Sequence, residues 1–162
     1  MANVDALFGR PGRWHPIGPR VRQAIGDVGA VVEIEPDDWV NVIDVGAWAT
    51  ERHGLVGTPP VIGRHSRDHE GKWPDTIETL LAAYPDRPGQ DVRVLGGASV
   101  PARLLGGVPA NWTVHPFGSM SPREFLRGDD LYVYFHRPAL NEAFGRSVLE
   151  AMATGAVCVV PD

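Results

Sequence analysis

From Pro59 onward, short apolar runs alternate with amphipathic segments, and this rhythm limits the chain to very few folds. The runs are "PPVIGR", "DVRVLGG", "NWTVHPFG", "DLYVYFH" and "AVCVVP". Each is Val/Leu-rich with little polar alternation, as expected of strands buried on both faces. Between them lie segments with helical spacing. In "PDTIETLLAAYP", Ile77, Leu80, Leu81 and Tyr84 recur on one face, with Pro74 expected in the first turn. "VPARLLGG" reads as a short helix or turn. "SPREFLRG" offers Ser121 as N-cap and Pro122 at the first helical position. "FGRSVLEAMATG" reads as a helix starting near Phe144 or Gly145, with Gly155 past its end. Strands alternating with helices predict an α/β fold: a Rossmann-like, doubly wound parallel sheet.

Residues 1–57 follow no such rhythm. "RVRQAI" could open a helix, "AVVEIE" a strand, and "DDWVNVIDVGAW" a strand or short helix. The expected organisation is therefore an irregular linker or domain remnant over 1–57 and a partial Rossmann-like domain over 58–162, which the resemblance given below makes a nucleotide-sugar-binding one.

Bulk properties exclude several classes. A formal net charge of -5 gives no general case for nucleic acid or an anionic membrane. No apolar run approaches the roughly 20 residues a bilayer-spanning helix needs, and "MANVDALFGRPGRW" lacks a signal-peptide core. The lone cysteine, Cys158, excludes an internal disulfide and fits a reducing cytoplasm, where a buried, inert thiol is expected. No G-x-x-x-x-G-K-[ST] loop and no G-x-S-x-G elbow occurs, which argues against a P-loop kinase and an α/β-hydrolase.

In parallel sheets, ligands bind outside the carboxyl ends of the strands, and the polar residues of this chain gather there. In "NEAFGRSVLEAMATG", Glu142 precedes the last helix and Glu150 lies within it. The helix start, at Phe144 and Gly145, offers unpaired N–H groups and a positive dipole end to an anion such as a diphosphate. Eight residues at helical rise span at most about 12 Å, comparable to the reach from a sugar across a diphosphate to a ribose. The same glutamates equally suit a helix that only complements its dipole and shows one carboxylate to water. In "GRHSRDHEGKWPD", Arg64 and Lys72 could grip a diphosphate, or belong to a solvated loop balanced by Asp68 and Glu70. His65 and His69, four apart, lack the helical setting and further ligands of a metal site. Phe117 and Gly118 follow the third strand and could receive a base, or serve as a core aromatic and a turn glycine. His136 and Arg137 follow the fourth strand and point the same way.

The stretch from Glu142 to Gly155 resembles the donor-site motif of retaining glycosyltransferases of the GT-B fold, family 4. That motif is E-x7-E with Phe-Gly after the first glutamate and E-A-M-A-x-G at the second. Glu142, Phe144, Gly145, Glu150, Ala151, Met152, Ala153 and Gly155 match it. "VIGRHSRDHEGKWPD" resembles the family's Gly-Arg…Lys element with a longer loop before the Lys. The resemblance covers residues 59–162. It implies that Arg64 and Lys72 bind the donor diphosphate, that Glu142, as the catalytic-site glutamate, contacts the donor sugar, and that Glu150 contacts the ribose. It implies too that Ala143, Phe144 and Gly145 lie against sugar and phosphate. A nucleotide-diphosphate sugar is then a co-substrate, with no metal and no other cofactor. The acceptor is an unspecified sugar or glycolipid, with no nucleic-acid partner. The location implied is the cytoplasm, extending to the face of the inner membrane. The family also has a full acceptor domain, for which residues 1–57 are too short. The expectation is thus a fragment of a longer enzyme; the alternative is a non-catalytic nucleotide-binding or interaction module derived from one.

Overall fold

A computed structural model of the chain describes residues 9, 12–27, 33–140 and 142–161. The amino-terminal stretch read for a signal peptide lies largely outside the described residues, as does the first half of the "AVVEIE" strand.

The chain divides into two compact units. The first holds residues 1–42 and 141–145. Its described elements are β1 (Arg13–Trp14), α1 (Pro19–Asp27) and β2 (Glu33–Ile34), with β1 and β2 paired in parallel. Arg22 on α1 fastens the unit: its guanidinium donates to Asp38 Oδ1 (2.8 Å from Nε) and to the carbonyls of Glu35 and Pro36.

The second unit holds residues 43–140 and 146–162. It opens with α2 (Val45–Trp48), whose N-cap Asp44 accepts from Ala47 N. Then come β3 (Ile62–His65), a 3-10 turn (Glu70–Lys72), α3 (Ile77–Ala83), β4 (Val92–Leu95), α4 (Ser99–Leu105), β5 (Trp112–His115), α5 (Pro122–Leu126), β6 (Leu131–Val133), α6 (Arg146–Ala153) and β7 (Val157–Val159). The five strands β3–β7 form one parallel sheet in the order β5-β4-β3-β6-β7. Winding runs outward from β3 through β4 to β5, then returns to β6 on the other side of β3. The order therefore reverses between β3 and β6, the switch point at which such sheets bind ligands. The α/β, doubly wound parallel architecture is the one read from the sequence.

Several helix ends follow from the residues. Ser121 accepts from Glu124 N at 3.1 Å and Pro122 opens α5. Gly155, with φ +79°, follows the end of α6. The expected start of α3 shifts: Pro74 stands outside the helix, and Thr76 caps it by accepting from Thr79 N at 3.2 Å. A threonine hydroxyl three residues before a free N–H satisfies a donor that Pro74 cannot reach. The "DDWVNVIDVGAW" segment resolves as α2 rather than a strand.

Residues 43–57 pack with the sheet. Arg52 donates to the carbonyls of Thr154, Asp129 and Leu126 at 2.9, 2.7 and 2.9 Å. Asp130 accepts from the amides of Val56, Gly57 and Val61, and these bonds hold its carboxyl below the usual carboxylate range against the opposing effect of burial.

Strand alternation sends β3 and β4 residues to two cores. One holds Trp73, Leu80, Tyr84, Val92, Val94 and Trp112. The other holds Leu95, Phe125, Leu126, Tyr132 and Ala151. At the amino ends of the strands, Asp129 is wholly buried and its Oδ1 accepts from Arg93 Nη1 at 2.7 Å. Gly63 lies directly beneath it, and a Cβ at Gly63 would collide with the Asp129 carboxylate. On the far edge, Val157 and Val159 of β7 and Met152 of α6 are exposed.

The buried carboxylate on Gly63 generates a first prediction. Gly63→Ala should destabilise the chain by about 1–3 kcal/mol, the usual cost of forcing volume into a filled site. Urea denaturation of variant and parent measures it; an unchanged midpoint would show that Asp129 moves aside freely.

Candidate functional site

The carboxyl ends of β3 and β6 place the predicted residues unequally. Arg64 and His65 are consecutive on β3 and so point to opposite faces. Arg64, expected to face a diphosphate, is instead turned into the core and is 0% exposed. Its guanidinium lies 4.0 Å from the Trp73 ring centre and 4.9 Å from that of Tyr134. Nη1 donates to Tyr84 Oη (2.7 Å) and the Phe135 carbonyl (3.1 Å); Nη2 donates to Ser66 Oγ (3.1 Å) and the Lys72 carbonyl. Tyr84 passes the chain on, donating to the Val133 carbonyl at 2.9 Å. The physical reason is satisfaction. A cation with no carboxylate at hand needs acceptors for its fork; the surrounding segments supply them to both Nη atoms, while the buried Nε has none.

Lys72 ends the 3-10 turn, half-buried, with its ammonium 5.9 Å from the Tyr134 ring centre. The turn is fixed from three sides. Arg64 holds the Lys72 carbonyl, Arg137 N donates to the Gly71 carbonyl at 3.2 Å, and His69 Nδ1 accepts from Gly71 N at 3.1 Å. His69 is thus a local cap. Among the described residues, no group of three or more His, Cys, Asp or Glu is placed to hold a metal ion.

Asp68, in the same loop, caps α4. It accepts from Ser99 N (2.6 Å), Ser99 Oγ, Val100 N (3.2 Å) and Trp73 Nε1 (3.2 Å). These bonds hold its carboxyl below the usual range although burial opposes them. Gly96 lets the loop approach this closely, since a Cβ there would strike the Ser66 carbonyl. Beside it a cavity of about 250 Å³ is lined by Arg103, Arg137, Glu70 and Asp75. Its charges are spent on one another, Arg103 with Glu70 at 3.3 Å and Arg137 with Asp75 at 3.7 Å.

On the opposite face, Glu150 lies on α6, 8% exposed. Arg146 Nε donates to its Oε1 at 3.0 Å, and His65 Nε2 faces its Oε2 at 3.4 Å. Burial, reinforced by the Arg64 charge, pulls His65 down to about 4, so the imidazole is neutral at pH 7. Glu150 is thus a carboxylate largely shielded from water at a strand-end helix, which the reading of a mid-helix glutamate in open water did not anticipate.

The first half of the motif belongs to the other compact unit. Glu142 and Phe144 are half-buried, Ala143 is exposed, and Gly145 has φ +70° immediately before α6 begins at Arg146. Phe117 stands 74% exposed after β5, followed by Gly118 at φ +76°, so it is not a core aromatic. His136 Nδ1 lies 2.9 Å from the Arg137 carbonyl in the β6 loop. Cys158 is half-buried on β7, and burial pushes its thiol up. Sequence reasoning missed His65 and Asp68 as site-building residues. The period-2 alternation of β3 carried the signal for His65; nothing local linked Asp68 to Ser99.

No family model matches the sequence, and none of the curated proteins compared with it matches. Among solved structures, the chain is similar to Anabaena HepE, determined in complex with UDP and glucose. The TM-score is 0.64 at 15% identity, over 98% of this chain and 55% of that one. The likeness shows the fold, and the chain spans about half the length of HepE. No described helix is long and apolar enough to cross a membrane.

Two predictions follow from these contacts. Arg64→Ala should cost about 3 kcal/mol or more, because it takes the arginine partner from two carbonyls and empties a buried site packed on Trp73, whereas Lys72→Ala should cost about 1 kcal/mol or less. Parallel urea titrations distinguish them; equal losses would show that the Arg64 network is not structural.

The second concerns pH. The unfolded chain protonates His65 near 6.5 and the folded chain near 4, so this group's stabilisation is present above 6.5 and is lost as pH falls toward 4. Asp129 acts oppositely. Burial pushes it up to about 7 despite Arg93 and Arg52, so its stabilisation is present below 3.8 and is lost as pH rises through 7. Between pH 4 and 6.5 the two oppose one another. Relative to the parent, His65→Phe should make unfolding free energy fall more steeply with rising pH, and Asp129→Asn should make it rise. Denaturation series across that window read both slopes; unaltered slopes would show that neither group titrates as described.

Proposed function

We propose that this chain carries the donor-binding half of a retaining glycosyltransferase of GT-B architecture, which moves a sugar from a nucleoside-diphosphate donor to a sugar or glycolipid acceptor. The observation that carries the reading is Glu150: a shielded carboxylate held on a helix at the switch-point end of a doubly wound parallel sheet. There a carboxylate accepts hydrogen bonds from a ribose hydroxyl pair. Lys72 supplies the point charge for the diphosphate, and the amino end of α6, beginning at Arg146, supplies backbone N–H groups. Arg64 acts through the Lys72 carbonyl rather than on the ligand. Phe117 and Gly118 form an exposed platform for the base, and Glu142, Ala143, Phe144 and Gly145 bear on the donor sugar, with Glu142 at the reacting carbon. Metal is not required in this reading, because the ammonium and the helix end offset the charge of the leaving diphosphate. The likeness to a structure holding UDP and glucose supports a nucleotide-sugar donor. Transfer also needs an acceptor held against the donor, worth about 7–11 kcal/mol of barrier in well-oriented cases, and the reading assigns that wall to other residues than β3–β7. Action in the cytoplasm, at the inner face of the membrane, agrees with such donors.

Thermal shift against UDP, GDP, ADP and their sugars tests the reading, since a ligand of the folded state raises the melting temperature. Glu150→Ala should weaken nucleoside-diphosphate binding by about 1–3 kcal/mol, the scale of a charged hydrogen bond, while Glu142→Ala should weaken only the sugar-bearing donor. Calorimetric titration that finds equal affinity in Glu150→Ala and parent would remove the ribose role. No shift with any nucleotide would remove the reading.

A further inference from the structure

The two oxygens of the Glu150 carboxylate are held in different ways. Oε1 accepts from Arg146, whose side chain is 73% exposed and anchored one helical turn earlier. Oε2 faces His65, a residue that is 8% exposed and built into the sheet. The His65 backbone is fixed by pairing with Leu95 of β4, and its carbonyl accepts from Tyr132 Oη at 2.9 Å. Its ring is enclosed by Tyr132 and Phe125, with centres 5.5 and 6.5 Å away. Nε2 is fully buried and makes no hydrogen bond in good geometry within the chain. It is an imidazole nitrogen aimed at a carboxylate, with little freedom to turn away.

We propose that His65 is a positioning residue: it fixes the Glu150 carboxylate from inside the sheet and leaves the Arg146-bound oxygen as the exchangeable one, which a ribose hydroxyl takes over when a nucleoside diphosphate binds. The proposal rests on the ribose role of Glu150 given above. The asymmetry is physical. A buried ring on a strand yields little on ligand binding, whereas an exposed arginine in an i,i+4 pair is worth only about 0.3–0.5 kcal/mol and is readily displaced. Fixing one oxygen aims the other, and a carboxylate aimed in advance loses less rotamer freedom when the ligand arrives. A neutral His65 ring adds no second cation beside Arg64.

The experiment is calorimetric titration of the full chain with UDP, GDP and ADP, followed by the 2′-deoxy analogue of whichever binds best, and by inorganic pyrophosphate. Parent, His65→Phe and His65→Gln are compared, with melting temperatures recorded. The parent should prefer the ribonucleotide. His65→Phe should shrink that preference by about 10-fold or more, the scale of one hydrogen bond to a charged group, without changing pyrophosphate affinity. His65→Gln, which returns an N–H near the same place, should recover part of it. A His65→Phe variant that keeps the parental ribo-to-deoxy ratio, or that loses both ligands equally, overturns the proposal. Should His65→Phe fail to fold, a double-mutant cycle of His65→Gln with Glu150→Gln decides: coupled losses support the proposal, and additive losses overturn it. A parent that binds nucleoside diphosphates with ribose preference untouched by His65 variants sinks the His65 role alone. A parent that binds none sinks the donor-binding reading and this proposal with it.

Discussion

The arrangement at the sheet's carboxyl edge hangs on one buried cation. Arg64 reaches Tyr84 at the end of α3, Phe135 after β6, Ser66 beside it and the carbonyl of Lys72, while stacking on Trp73. These partners come from every segment that borders the switch point on that face. Polar networks of this kind are stable only when nearly complete, since each orphaned group pays full desolvation. The loop carrying Lys72 is therefore held by this cluster as well as by its own His69 cap, which explains how a polar, histidine-rich stretch keeps one shape.

The two faces of the sheet divide the labour. The face of Arg64 is filled with aromatics, Trp73 against Trp112 and Tyr84, and it fixes backbone. The face of His65 holds the ionisable groups whose protonation burial has altered, His65 at one strand end and Asp129 at the other. Neighbouring residues on one strand thus reach opposite settings, one structural and one close to the site chemistry. Perturbed titration marks a functional candidate only when geometry agrees. His65, at the carboxyl edge of the sheet beside Glu150, where parallel sheets bind ligands, meets that condition; Asp129, at the amino ends of the strands against Gly63, does not.

Much of the fold was legible because buried parallel strands announce themselves. The five apolar runs, the Ser121–Pro122 start and the Gly155 stop are local signals, and each appears where it was read. What failed was long-range or directional. Alternation says that Arg64 and His65 part company, but not that both are buried. The attachment of residues 43–57 rests on Arg52 and Asp130, whose partners lie some seventy residues or more away. The start of α3 was misplaced because Pro74 and Thr76 are both good opening residues, and only the partner of Thr79 N decides between them. Of the site, the glutamate on α6 was visible as a motif; its shielding was not, because His65 approaches from another element.

Asp68 has a consequence for the sheet edge. The chain delivers its own carboxylate to the start of α4, so that pole of the sheet edge is already neutralised. The start of α6, in contrast, receives no such carboxylate from the Asp68 loop. The loop that bears Asp68 thus spends its charge inside the chain, and the two helix starts on this edge differ in what they leave open to solvent.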